Sequence, residues 1–314
     1  MPSIHSFGRH LPERIVHNSE LAQTLGCDAD WIFRISGIEE RRVARPDETV
    51  VDLGVAAAQD CLNRSGGPAP GLIIVASGSC ERRFPGPAAE IACRLGFTVI
   101  PAIDLPMAST GGLFGIALAD KLAPSYGPVL VVAAEKMFGP ATASPLDVAI
   151  LFGDGAGACL VTPDSGGLHI LDSALHSEGS NTGNLRLDLA GGITMNGLAV
   201  IRSASRRLPE VIQELLAKHG IEPQAIAAFL THQANQNLID RVARAIGVPS
   251  ALFFSNIRRC GNTSSASILI AASEWIETAS LSSGDPICFA AFGAGFHWGA
   301  LLARAAGPFP AGLP

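Results

Sequence analysis

The chain repeats itself, and that repetition restricts its fold more than any other feature of its 314 residues. GLIIVASGS from Gly71 answers AAFLTHQA from Ala227, and ASTGGLFGIALAD from Ala108 answers GNTSSASILIAAS from Gly261. VLVVAAE from Val129 answers ICFAAFG from Ile287, and GDGAGACLV from Gly153 answers GAGFHWGALLA from Gly293. A chance likeness among apolar stretches would not keep its order across four segments. Each half reads as strand, small-residue turn into a helix, strand, Gly-rich turn, strand. The Gly/Ser/Asp stretch Pro163–Gly167 separates them, giving an N-terminal half of residues 1–165 and a C-terminal half of 166–314.

Short apolar runs alternate with stretches of helical period, as in α/β layers whose strands are covered on both faces. Strands are expected at 71–77, 129–134, 156–161, 227–231, 286–291 and 298–303, and helices at 50–65, 87–95, 110–122, 203–219, 235–246 and 263–279. With 48% hydrophobic and 16% charged residues the chain can bury a large core. The net charge of −6 with scattered Lys and Arg excludes a nucleic-acid surface. No apolar run reaches the ~20 residues of a membrane span, and the first residues do not read as a signal peptide. The seven Cys form no C-x-x-C pair. They are expected to be reduced core residues of a cytoplasmic protein.

Three short segments carry chemistry. Met107–Gly112 (MASTGG) breaks an extended stretch and opens a helix, so Ser109 is either a nucleophile at the positive end of a helix dipole or simply the cap of that helix. Thr231–Asn235 (THQAN) puts His232 at the C-terminal end of a buried strand, where α/β sheets present functional groups, although a hydrogen-bonded structural His fits equally. Gly261–Ala266 (GNTSSA) opens the helix that answers the Ser109 helix, and Asn262 is either a cap or a site residue brought to the same centre by the repeat. Phe152–Gly157 and Phe292–Phe296 are Gly-rich turns entering strands, which argues against a dinucleotide fingerprint. Backbone N–H groups of Ser109 and Ala294 are candidates for an oxyanion site.

Taken together, Ala108–Gly111, His232–Asn235, Gly261–Ser264 and Gly293–Gly299 resemble the beta-ketoacyl-ACP synthase III family of the thiolase superfamily. Asp30–Ile32, Ser36–Ile38, Phe152–Gly157 and Met195–Gly197 extend the likeness, in family order, over nearly the whole chain. The resemblance implies a duplicated αβαβα thiolase-like fold, layered with central helices between two mixed sheets and with the active site between the halves. It implies an acyl group taken from acyl-CoA or acyl carrier protein and condensed with a malonyl thioester after decarboxylation. Acyl-CoA and malonyl thioester are then substrates, and neither cofactor nor metal is needed. His232 and Asn262 match the pair that stabilises the thioester enolate, a role suited to neutral donors because an anionic residue would repel the developing charge. Trp31 matches the family tryptophan that packs against the CoA adenine, whereas the arginine that follows it in the family is replaced by Ile35, with Arg34 one residue earlier; Arg34, Phe152 and Phe292 are expected to bind substrate with it. In the homodimer that the resemblance implies, Phe84 reaches the partner's acyl pocket.

The sequence departs from the family at the nucleophile, where Ser109 stands in place of Cys. A hydroxyl must lose its proton as it attacks, so Ser109 would depend on His232 as general base. Three accounts stay open: a condensing enzyme whose Cys has been exchanged for Ser, a serine-using acyltransferase that does not decarboxylate, and a catalytically silent carrier-binding subunit. After His232–Asn235 the family often has a basic residue for carrier docking. Here Arg241 and Arg244 follow one and two turns later, either as a solvated face or as that docking site.

Overall fold

The computed structural model describes residues 1–163, 166–188 and 192–306; the expected division at residue 165 lies outside them. Ten strands build the main sheet system: β1 (Ser3–His10), β2 (Leu72–Ala76), β3 (Ala102–Leu105), β4 (Val129–Lys136), β5 (Asp154–Thr162), β6 (Leu168–Ser177), β7 (Ala228–Thr231), β8 (Phe253–Phe254), β9 (Pro286–Gly293) and β10 (His297–Ala305). Their spatial order is β8-β7-β9-β10-β6-β1-β5-β4-β2-β3. Adding five to each strand number of the first half gives its counterpart in the second, and the hydrogen bonding repeats as well. β2 runs parallel to β3 and β4, as β7 does to β8 and β9, while β5 and β10 run antiparallel to their neighbours. The two five-stranded sheets are joined at Ser3↔His169 and Ile4↔Leu168, with the Ile170 N–H donating to Pro2 O (2.9 Å) beside them.

Six helices repeat in the same way: α1 (Val50–Ser65), α2 (Ala88–Arg94), α3 (Gly111–Tyr126), α4 (Gly197–Lys218), α5 (Gln236–Ile246) and α6 (Ser267–Thr278). Every expected helix and strand is present. α1 starts in a capping box between Thr49 and Asp52 and stops at the left-handed Gly66. α4 begins six residues before the expected Ser203, because Asn196 accepts the Ala199 N–H (3.2 Å) and so starts the helix early. α3 continues through Pro124, which costs it one hydrogen bond.

Strand periodicity explains the layering. Leu72, Ile74 and Ala76 point into the same core as Val129, Val131 and Ala133, where they meet Leu113 and Ile116 of α3 and Ile268 and Leu269 of α6. The alternate residues Ile73, Val75, Leu130 and Val132 face α1 and α2. In the second half, Phe289 and Leu301 join the central core, while Cys288 and Leu302 pack under α4 and α5. Reading across gives helix, sheet, central helices, sheet, helix, which is the thiolase fold. Of the seven Cys, Cys61, Cys159, Cys260 and Cys288 are buried. Contrary to expectation Cys93 is exposed, on the outer face of α2, and Cys27 and Cys80 are half-buried. All are free thiols.

Candidate active site

The two central helices begin against each other, and the site forms where they meet. Ser109 and Ser264 adopt left-handed backbone conformations (φ 59° and 49°) and are the only non-Gly residues with positive φ among the described residues. The repeat therefore pairs Ser109 with Ser264, two positions beyond the expected Asn262. Ser109 is not the cap of α3, which starts at Gly111 behind Thr110 with no side chain closing it. The Ser109 N–H, expected to face an oxyanion, donates instead to Ser264 Oγ (3.0 Å), because the helix starts lie face to face. Beside it, a Cβ on Gly293 would come within 2.5 Å of Ser109 Cβ and 3.2 Å of its Oγ, so only glycine leaves the Ser109 side chain its room.

His232 follows β7, its N–H donating to Ala290 O of β9 (2.9 Å). The ring is buried, and Nδ1 pairs with Ser267 Oγ on α6 (2.6 Å), leaving Nε2 for the cavity that His232 lines. Burial pushes its pKa down to about 4, against a smaller upward pull from the Ser264 backbone. Asn262 is held by its backbone: its N–H donates to Leu151 O (3.0 Å) and its carbonyl accepts the Gly153 N–H (3.1 Å). Its Oδ1 accepts the Ser264 N–H (2.9 Å), which turns Nδ2 away from that bond as the free donor of the amide.

Two cavities share Ser109, Phe152 and Leu185 as lining residues. The larger, about 750 Å³, also contains His232, Asn235, Asn262 and Phe292 and is otherwise apolar, with Leu185, Met195 and Leu238 among its walls. The smaller, about 330 Å³, lies beside Ala294, Met137 and Ile193. The structure thus brings Ser109, His232, Asn262, Phe152 and Phe292 together, with Ala294 next to Ser109. Trp31 and Arg34 line neither cavity. They ride on helix Ala29–Ser36, which borders the rim because Asn235, a wall residue of the larger cavity, donates to Ile35 O (2.8 Å). Arg241 and Arg244 lie exposed on α5, without an ion pair among the described residues. Phe84 is 86% exposed and lines neither cavity.

Sequence reasoning overlooked Ser264, Ser267 and Glu135. The run Ser264–Ser267 (SSAS) carried the signal for the first two but read only as a helix start. Glu135 ends the apolar run of β4 and is completely buried, taking hydrogen bonds from Ser265 Oγ (2.6 Å), Ser79 Oγ (2.5 Å) and the Gly78 N–H (3.0 Å). Burial pushes its carboxyl up while those donors pull it down.

A duplicated five-layer fold with this cluster between its halves defines an acyl-transferring enzyme of the thiolase class. Sequence models of 3-oxoacyl-[acyl-carrier-protein] synthase III match residues 103–179, and those of its C-terminal region match 216–305. The chain is 34% identical to beta-ketoacyl-[acyl-carrier-protein] synthase III of Aquifex aeolicus over 95% of its length and 97% of that protein. The crystal structure of 3-oxoacyl-[acyl-carrier-protein] synthase III from the same organism superposes with a TM-score of 0.93 at 33% identity, covering 97% of this chain and 100% of that one. The priming beta-ketosynthase of the R1128 polyketide pathway superposes with a TM-score of 0.88 at 29% identity, covering 98% and 97%. The chain belongs to the beta-ketoacyl-ACP synthase III family.

Proposed function

We propose that this chain condenses an acyl group with a malonyl thioester, and that its decarboxylating pair is better preserved than its nucleophile. The observation that carries this reading is the convergence of two neutral donors, His232 and Asn262, on the cavity that holds Ser109. In the first step Ser109 Oγ attacks the acyl thioester, its proton leaves with the departing thiol, and an acyl ester forms. In the second, a malonyl thioester loses carbon dioxide. His232 Nε2–H and Asn262 Nδ2–H stabilise the enolate, whose carbon attacks the ester and expels the Ser109 alkoxide, which takes a proton from solvent as the 3-ketoacyl thioester leaves. Ser267 Oγ accepts the Gln233 N–H (3.1 Å), so its own proton is free for His232 Nδ1, and the imidazole proton then sits on Nε2.

An imidazole with a pKa near 4 is a weak base, so it suits the donor role and activates a hydroxyl poorly. Acyl loading on Ser109 is therefore the slow half-reaction. The larger cavity fits the thioester arm and the smaller apolar one the acyl chain. Acyl-CoA and acyl carrier protein are the carriers in this reading, with Trp31 and Arg34 near the donor's entry and Arg241 and Arg244 meeting the acidic carrier. Exposed Phe84, together with exposed Val99 and Ile103 near the edge strand β3, supports a homodimer. The reading places the enzyme in the cytoplasm; among the described residues no helix is long and apolar enough to cross a membrane.

Intact-mass analysis after incubation with a panel of acyl-CoAs, alongside carbon dioxide release from malonyl-ACP, tests the proposal. Adduct formation that accelerates in Ser109→Cys, with carbon dioxide release, supports it. Acyl transfer to other acceptors without carbon dioxide release replaces it with a serine acyltransferase. Neither activity, even in Ser109→Cys, leaves a carrier-binding subunit.

A further inference from the structure

Arg41 is one of the largest side chains in the chain, yet its exposure is 0%. Among the described residues no carboxylate pairs with it, and the neighbouring Glu40 acts on it only through its charge. Its guanidinium donates to Val16 O (3.3 Å), Asn18 Oδ1 (2.9 Å) and Ile150 O (2.9 Å), and its Nε has no partner. Burial lowers its pKa to about 10. Enclosing a cation that is solvated by carbonyls alone is costly. What lies around it shows what that arrangement secures.

Ile150 leads directly into Leu151–Gly153, the segment that brackets the Asn262 backbone from both sides, and Phe152 forms a parallel bridge with Asn262. The side chain of Arg41 also fills the space beneath this segment. A Cβ on Gly153 or on Gly261 would come within 3.0 Å of Arg41 Cβ, and one on Gly153 would in addition strike Cys260 O at 2.5 Å. Arg41 is therefore the floor on which residues 150–153 and 260–262 lie. The first half of the chain uses it to hold a residue of the second.

We propose that Arg41 is a positioning residue for Asn262: its guanidinium clamps Ile150 O, that clamp fixes the Leu151–Gly153 bracket, and the bracket sets where the Asn262 amide points. Arg41 touches no reacting atom. The inference rests on the enolate-stabilising role given above to Asn262, but it can be read independently of turnover. Loss of the clamp selectively weakens decarboxylation, on the order of 10²-fold for a misplaced reacting group, and spares the transfer of acyl groups to residue 109.

The experiment compares Arg41→Met and Arg41→Lys with the unsubstituted chain by two readouts. The first is carbon dioxide release from malonyl-ACP, set beside adduct formation from acyl-CoA and combined with Asn262→Ala in a double-mutant cycle. The expected result is a kcat loss confined to decarboxylation, partly rescued by Lys, with the Arg41→Met/Asn262→Ala double variant no slower than Asn262→Ala alone. Additive losses, or equal losses in both half-reactions, overturn the proposal. The second readout is hydrogen exchange on the full chain. Faster exchange confined to the Gly153 and Asn262 amides supports it. Unchanged exchange there, or acceleration spread over the whole sheet, overturns it. Should the unsubstituted chain and Ser109→Cys both lack decarboxylation, the condensing reading fails, and hydrogen exchange alone decides whether Arg41 holds Asn262.

Discussion

Neutrality of His232 is the property on which the proposed chemistry turns, and it makes a prediction about stability as well as rate. In an unfolded chain its imidazole titrates near 6.5; in the folded protein burial holds it down to about 4. Between those values the unfolded chain binds a proton that the native site refuses, so the contribution is full above pH 6.5 and is lost as the pH falls toward 4. The gap of about 2.5 corresponds to roughly 3 kcal/mol at about 1.4 kcal/mol per unit. His232→Gln removes the titration and keeps a polar side chain beside Ser267. Urea unfolding of both proteins, at steps from pH 7 to pH 4, is expected to show the unsubstituted chain losing about that much more stability. Asp154, raised to about 6 by burial, and the raised Glu135 act in the opposite direction, but they are common to both proteins and cancel in the comparison. In parallel, carbon dioxide release should run level through pH 6.5. Superimposable stability curves, or a rate falling with a midpoint near 6.5, would show that the ring titrates freely and would refute the assignment of a dry, neutral donor.

Asn262→Asp keeps the acceptor for the Ser264 N–H, so it should fold normally while placing a charge at the site proposed for the enolate; decarboxylation is expected to drop by about 10²–10³-fold, checked against an unchanged circular dichroism melt. Gly293→Ala drives a methyl into Ser109 and should cost about 1–3 kcal/mol of stability together with loss of adduct formation, read by denaturation and intact mass. Thr49→Ala removes the α1 capping box, far from the chemistry, and should cost about 1 kcal/mol in urea unfolding with kcat unaltered.

The expected strands are those whose residues are apolar on both faces; the four strands of the main sheet system not anticipated are β1, β3, β6 and β8, which are counterparts of one another in the repeat. β1 and β6 meet at the junction of the sheets, where polar residues are tolerated because they pair with each other, as Ser3 Oγ does with His169 Nδ1 (2.6 Å). β3 and β8 are edge strands, and β8 has only two residues. Run length and hydrophobicity cannot register such segments. Ser109, His232 and Asn262 were legible as types at helix and strand ends. The two-residue offset between Asn262 and the true counterpart of Ser109 was not, since it depends on backbone dihedral angles. Nor could a charged residue such as Arg41 or Glu135 be recognised as buried, because its partners come from segments distant in sequence.

The central layer has a consequence for how such a chain is made. Leu113, Ile116 and Ala119 of α3 pack in one core with Ile268, Leu269 and Ala272 of α6, a helix synthesised some 150 residues later. As the first half leaves the ribosome, α3 can dock on its own sheet, but its opposite flank has nothing to cover it until the chain is almost complete. That sticky intermediate is a natural client for a holdase. It also means that severing the polypeptide between β5 and β6 should yield two fragments that are insoluble apart and recover shape only when produced together.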